Sequence, residues 1–280
     1  MDMNRDTKLN NQIIALDNAL AKQSHSMDVE YQRMFYVALA SIKQNQKENY
    51  VSIDKKDFFD LLNIHDEDRW SRTRLMWRKL IPMTQYDFGP DSDFITGVLI
   101  TKVDARGKTY KVYFEPEFMP LLTHLSSGFT RLLRDDVINF KSKFSSILYQ
   151  QLMRLNGLGY RGIEFTTREL KQRFGMSDDD YVYDGKFNRT LFEKYSVDLA
   201  VKEINELSKC INNLYYEKVK GNRGQVLCYK FFFTYKDPTD VKVKEEPNQT
   251  TIYDYINLTT NEKEDNTEFT NEVKEYEWWK

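Results

Sequence analysis

Arg69, Arg72, Arg74, Arg78 and Lys79 set five cations within eleven positions, and no acidic residue follows Asp68 in that stretch. Guanidinium and ammonium groups at helical spacing, without interleaved carboxylates, suit ion pairing with phosphates. At 100° per residue, Trp70, Thr73, Met76, Trp77, Leu80 and Ile81 fall on one side and are expected in a core. Ser71, Arg72, Arg78 and Lys79 lie opposite, with Arg69 and Arg74 flanking the apolar stripe. A second pattern runs from Leu191 to Lys209. Val197, Ala200, Val201, Ile204 and Leu207 face inward, and Lys194, Tyr195, Asp198, Lys202, Asn205 and Lys209 face outward. Lys, Asn and Asp are able to read base edges, and the major groove admits one helix. Lys194, Tyr195, Asp198 and Lys202, in the first half, are the candidates to reach deepest. The alternative is a solvated face of mixed charge, since Asp198 and Glu206 dilute the cations. Two turns add basic tips that suit backbone or minor-groove contact. One carries Lys102, Arg106, Lys108 and Lys111, and the other Lys218, Lys220, Asn222 and Arg223 around two glycines. Lys141, Lys143 and Arg189 complete the candidate DNA-binding set.

Catalytic constellations do not occur. The sequence has no Gly-x-x-x-x-Gly-Lys-Ser/Thr phosphate loop, no Gly-x-Ser-x-Gly elbow and no His-Glu-x-x-His. It lacks the His-hydrophobe-His motif that a nicking relaxase uses with a tyrosine, and none of its 18 tyrosines has histidine neighbours. His25, His65 and His124 are scattered, so no metal or other cofactor is expected. A hairpin turning at Gly221–Gly224 would set Cys228 opposite Glu217 with Cys210 well beyond. That geometry disfavours a disulfide and leaves two ordinary thiols in or near the core.

The elements that position these residues repeat. Val51 to Ile64 and Ile163 to Met176 share one pattern 112 residues apart. A short alternating strand runs into Asp54 or Thr166, each able to cap a helix, and apolar residues follow at matching helical positions. Each copy precedes a second helix and an aromatic-rich hairpin. Helix, helix, hairpin is the order of a winged helix, so the expected fold class is α+β, helix-rich, with two winged-helix domains in tandem. The expected division is a polar lead-in over 1–27 with a short helix at Ile13–Leu20, and a first domain over 28–125. A linker over 126–136 with Ser126-Ser127-Gly128 at its centre follows, and then a second domain over 137–236. Helices are expected at Asp28–Gln44, Asp54–Asn63, Asp68–Met83, Val137–Leu155 and Leu191–Lys209. The hairpins are Phe94–Val103 with Thr109–Glu115, and Leu214–Val219 with Gln225–Tyr235. Ser177–Gly185 reads as an acidic loop.

The net charge of −2 hides an asymmetry: residues 237–280 hold 12 acidic and 5 basic side chains, leaving 36 basic and 31 acidic before them. A mildly basic body with an acidic, largely disordered tail suits a nucleic-acid binder. The aromatic stretch Thr251–Ile256 and Trp278-Trp279 stand out within that tail. No apolar run approaches the ~20 residues of a membrane span, and no signal-peptide core is present. The expected compartment is the cytoplasm.

From about Leu121 to Tyr235 the sequence resembles the iteron-binding initiator proteins of theta-replicating plasmids. The resemblance is carried by Phe140-Lys141-Ser142-Lys143-Phe144-Ser145-Ser146-Ile147-Leu148-Tyr149 and by the helix end Leu170 through Phe174-Gly175-Met176. The block Ala200-Val201-Lys202-Glu203-Ile204-Asn205 and the aromatic run Lys230-Phe231-Phe232-Phe233 complete it. The first domain matches in order of elements more than in residues. One departure is that Phe192-Glu193-Lys194-Tyr195-Ser196 is less basic than the run this family usually has there. The resemblance implies a noncatalytic protein that binds direct origin repeats in double-stranded DNA as a monomer, using both domains. It implies dimeric binding to an operator inverted repeat, with the first domain supplying the dimer interface, and repression of its own gene. It further implies recruitment of host initiator and replicative helicase, and help in opening the duplex. The rival readings are a winged-helix repressor without origin function, a rolling-circle nicking enzyme, and a protein-interaction scaffold.

Overall fold

The computed structural model describes residues 13–22, 27–43, 45–88, 92, 94–123, 129–159, 163–222 and 224–241. The expected linker centre at Ser126–Gly128, the tail beyond Val241 and Arg223 lie outside them.

The two domains share one topology. In the first, helix α2 (Val29–Ala40) precedes strand β2 (Tyr50–Asp54), helices α3 (Lys55–Leu62) and α4 (Arg69–Met83), and the hairpin β5 (Ile100–Asp104) and β6 (Thr109–Phe114). In the second, α7 (Lys143–Gly157) precedes β8 (Ile163–Thr166), α8 (Thr167–Arg173), a third helix from Arg189 to Leu207, and the hairpin β11 (Ile211–Lys220) and β12 (Val226–Tyr235). The sheets order as β2–β6–β5 and β8–β12–β11, all antiparallel. Alternation explains the strands: Val51 and Ile53 are buried while Ser52 is exposed, and Ile163 and Phe165 are buried while Glu164 is exposed. The two helix starts are also equivalent. The Asp54 carboxylate accepts from the Lys56 and Asp57 N–H groups, and Thr166 forms a reciprocal capping box with Glu169.

Several expectations are corrected. The lead-in is not helical at Ile13: Ile13–Asp17 form β1, followed by α1 (Asn18–Lys22). Strand β1 pairs antiparallel with β7 (Phe129–Leu133), inside the expected linker. Burial of Ile14 and Leu16 on β1 and of Thr130, Leu132 and Leu133 on β7 drives this pairing, so 129–136 is core structure, not a connector. The single helix expected at Val137–Leu155 is two, α6 (Arg134–Asn139) and α7. Phe140 leaves helical geometry at ψ 137, and Ser142 caps the new start by accepting from the Phe144 N–H. The first hairpin's long strand is divided at Leu99. Ile95–Val98 (β4) pairs with an unforeseen strand, β3 (Gln85–Phe88), while β5 pairs with β6. Leu99 bridges the two ladders, donating to the Thr84 carbonyl and accepting from the Glu115 N–H. Gly97 permits this, because a Cβ there would lie 2.4 Å from the Tyr86 hydroxyl. The acidic loop contains a small hairpin, β9 (Val182–Tyr183) with β10 (Lys186–Phe187). Cys228 pairs with Val219 rather than Glu217, because a bulge follows at Val219/Lys220. Both thiols are free, Cys210 being buried. Residues 237–241 belong to the folded body: Pro238 and Val241 are buried and Arg131 pairs with Asp237.

One contiguous core runs through both domains. Polar bonds cross between them as well. The Tyr36 hydroxyl donates to Gln150 Oε1 at 2.7 Å, and the Arg33 guanidinium donates to the Phe140 carbonyl at 2.7 and 3.1 Å. Gln150 and Gln151 both donate to the Ala21 carbonyl.

Candidate nucleic-acid interface

Helix α4 buries Thr73, Met76, Trp77 and Leu80 and exposes Arg74, Arg78 and Lys79. None of these three cations enters an ion pair among the described residues, whose pairs lie elsewhere. Arg72 differs. It reaches Asp66 at 2.8 Å and Glu30 at 2.9 Å, so acids from before the helix and from α2 neutralise it. The carboxylate-free face predicted from local sequence is therefore confined to the later turns. Trp70, expected in the core, is 52 % exposed. It packs edge-on against Phe59, with Lys55 and Arg69 over its ring at 5.5 and 5.4 Å. The Arg69 Nε is buried without a partner. Leu75 is 51 % exposed amid the basic residues.

The first wing is fixed from α3: Lys55 Nζ donates to the Ala105 and Gly107 carbonyls at 2.6 and 2.8 Å. Gly107 adopts φ +75, which the turn requires. Arg106 is held in a fork by Asp104, Nε to Oδ1 at 2.9 Å and Nη2 to Oδ2 at 2.5 Å. That pairing holds the Asp104 carboxyl far below the usual carboxylate range. Lys108 stays exposed without an ion pair among the described residues.

In the second domain the third helix is one rod in three parts: α9 (Arg189–Phe192), a π-helical turn at Glu193–Val197, and α10 (Asp198–Leu207). Lys194, Tyr195, Asp198 and Lys202 all face solvent, as their spacing predicts. Lys194 Nζ sits 5.1 Å over the Tyr195 ring. The Tyr216 hydroxyl of β11 donates to Asp198 at 2.7 Å, and Lys202 lies 3.8 Å from Glu206. Leu199 adds a further exposed apolar group at 41 %. The Arg189 Nε is buried without a partner.

The second wing divides. Lys218 pairs with the Glu193 carboxylate at 2.5 Å, and the Tyr229 hydroxyl donates to the other oxygen at 2.9 Å. Burial, then Glu193, push the Tyr229 phenol far above its ordinary value. Lys220 and Asn222 remain exposed at the tip.

Inside the sharpest sequence block, Glu203 is buried and Asn205 is exposed, yet both side chains bond to protein. Glu203 accepts from the Lys141 and Ser142 N–H groups at 2.6 and 3.0 Å and from the Ser145 hydroxyl, which anchors the start of α7. Asn205 exchanges two 2.7 Å bonds with the Leu214 backbone, which anchors β11. Asp136, fully buried, accepts from the Ser208 hydroxyl and the Lys209 and Cys210 N–H groups. Lys141 is exposed beside this clasp, and Lys143 Nζ lies 5.4 Å over Phe144. Sequence spacing gave no sign of the clasp, because its partners lie 58 to 62 residues away in sequence for Glu203 and 72 to 74 for Asp136. Leu75 did carry a signal, as an apolar residue off the stripe of a basic helix.

Residues 13–153 match the family model described as Initiator Replication protein, WH1, and residues 166–233 match that described as Initiator Rep protein, WH2. Among solved structures, the chain is similar to one described as the crystal structure of Pi initiator protein in complex with iteron DNA. The TM-score is 0.62 at 17 % identity, over 81 % of this chain and 98 % of that one, a likeness of fold. Comparison with curated protein sequences returns no match.

Proposed function

The chain belongs to the initiator replication protein family, and from that premise we propose that it binds repeated origin sequences in duplex DNA through both winged helices. The observation that carries this reading is that each domain's third helix offers solvent a face with cations that enter no ion pair among the described residues, Arg74, Arg78 and Lys79 in one and Lys194 in the other. Affinity then comes from counterion release at phosphates, to which Arg69, Lys108, Lys141, Lys143, Arg189, Lys220 and Arg223 add, with Asn222 as a neutral hydrogen-bonding group beside them. Base readout falls to Lys194, Tyr195, Asp198 and Lys202. Tyr216 orients the Asp198 carboxylate, an acceptor suited to a cytosine amino group. Arg72, Arg106 and Lys218 contribute less, since each already pairs with a carboxylate.

Origin opening, recruitment of host initiator and helicase, homodimerisation and repression of its own gene follow as further parts of this proposal. So does life in the cytoplasm of a plasmid-bearing bacterium. No helix among the described residues is long and apolar enough to cross a membrane. The test is footprinting of the full chain on the DNA flanking its own gene and on a scrambled duplex, at two salt concentrations. A regular ladder of protected sites about two helical turns apart (~21 bp) is the expected result. A single protected palindrome would instead indicate a repressor without origin function. Equal weak binding to both duplexes would overturn the proposal.

A further inference from the structure

The third helices of the two domains share a register that the sequences alone conceal. Thr73, Met76, Trp77 and Leu80 are buried in the first, and Glu193, Ser196, Val197 and Ala200 in the second, whose buried positions also include Phe192, Glu203 and Ile204. Both sets step by three, one and three, so each residue of α4 answers to the residue 120 positions later. The strands beneath agree with this register. Tyr110 of β6 lies beside Thr73 and packs on Trp77 at 5.8 Å between ring centroids, and Tyr229 of β12 bonds Glu193. The helix starts agree too, because Arg69 answers to Arg189 and each keeps a buried Nε with no hydrogen-bond partner among the described residues.

In this register Arg74 answers to Lys194 and Leu75 to Tyr195. Leu75 and Tyr195 are both 51 % exposed, and each directly follows a cation. Leu75 takes no part in the core, and its exposed neighbours on the helix are Ser71, Arg72, which Glu30 and Asp66 already pair, and Arg74, Arg78 and Lys79. A partner that covers this leucine must also neutralise three cations. An apolar protein surface would bury those charges unpaired, at high cost. The major groove meets both demands, since phosphates flank it and thymine C5-methyl groups are its apolar points.

We propose that Leu75 is a specificity-determining residue of the first domain, making apolar contact with a thymine methyl at the position Tyr195 occupies in the second. The inference rests on the DNA-binding function proposed above. It assigns sequence reading, and not only phosphate contact, to the first domain.

The test uses the full chain and the duplex that the wild-type protein selects from a randomised library. Each thymine is replaced in turn by deoxyuridine, which lacks only the methyl, and dissociation constants are measured for wild type and Leu75→Ser. Wild type is expected to weaken about three- to fivefold at one thymine within the first domain's footprint, the size expected of one buried methyl. Leu75→Ser is expected to melt like wild type, bind the thymine duplex more weakly by the same factor, and no longer respond to deoxyuridine there. If Leu75→Ser keeps the wild-type response at every thymine, the inference is overturned while the DNA-binding function stands. Loss of self-association in sedimentation with the thymine response intact would likewise overturn it and assign the surface to a second copy. If wild type selects no sequence at all, the DNA-binding function itself fails, and this inference with it.

Discussion

Glu203 illustrates how a residue in a recognisable sequence block earns its place through geometry. Its carboxylate receives two backbone N–H groups and one hydroxyl at the start of α7, all of them buried or half-buried. Removing it leaves helix-terminal donors without partners away from water. Glu203→Ala is expected to lose about 2–4 kcal/mol in urea unfolding, the range for a buried charge-assisted network. Binding should fall with the folded fraction, while relative preference among DNA sequences is kept. Asp136 makes a second prediction, with a sign fixed by linkage. Burial raises its carboxyl above the ordinary 3.8, outweighing the bonds from Ser208, Lys209, Tyr149 and Cys210. Between 3.8 and the raised native value the folded state holds the extra proton, so this group's contribution to stability is complete below 3.8 and is lost as pH rises through the native value. Asp136→Asn removes that titration. The stability of wild type minus that of Asp136→Asn should therefore decline with rising pH across that window, measured by denaturation at a series of pH values. A flat difference would contradict the assignment.

At the scale of elements, the wings separate cations that look alike in sequence. Lys218 and Lys220 are two residues apart on β11, yet Lys218 closes an ion pair with Glu193 and Lys220 does not. Lys220→Ala should leave unfolding unchanged and reduce the slope of log affinity against log salt by about 0.9, one phosphate contact. Lys218→Ala should leave that slope nearly intact and lower stability, because the Glu193 carboxylate loses its cation and keeps only the Tyr229 hydroxyl. The elements themselves were largely legible. Both repeat copies folded as strand, cap and helix, since capping and alternation are local signals. What local signals could not give was pairing. Strand β1 reads as a polar lead-in until Leu132 and Leu133 lie beside it, and the break at Phe140 exists because Glu203, from another element, takes the N–H groups of Lys141 and Ser142. Trp70 was misplaced for a related reason, since helical periodicity knows nothing of Lys55 and Phe59 from α3.

Across the whole molecule, the two winged helices are not beads on a string. Tyr36 to Gln150, Arg33 to Phe140 and the β1–β7 ladder join them through a continuous core. Heat or urea should therefore unfold the described body in one transition, with coincident far-UV and tryptophan signals. Tyr36→Phe, which leaves Gln150 Oε1 without its donor, should lower the midpoint without splitting the transition, by about 1–3 kcal/mol for an orphaned buried acceptor. Two separated transitions would contradict the joined core. The candidate interface was legible where charge and helical period agreed, as at Arg74, Arg78, Lys79 and Lys194. It was illegible where carboxylates from other elements intervened, as Glu30 does at Arg72 and Glu193 at Lys218, and at Arg106 the pairing with nearby Asp104 became plain only with the turn's geometry. The clasp made by Glu203 and Asn205 has a practical consequence. Glu203 and Asn205, among the most identifiable letters of the sequence, hold the helix in its frame, while Lys194, Tyr195 and Lys202 face solvent and anchor no other element. A chain built this way can be re-addressed: its outward letters can be rewritten for a new origin while the frame that presents them is inherited unchanged.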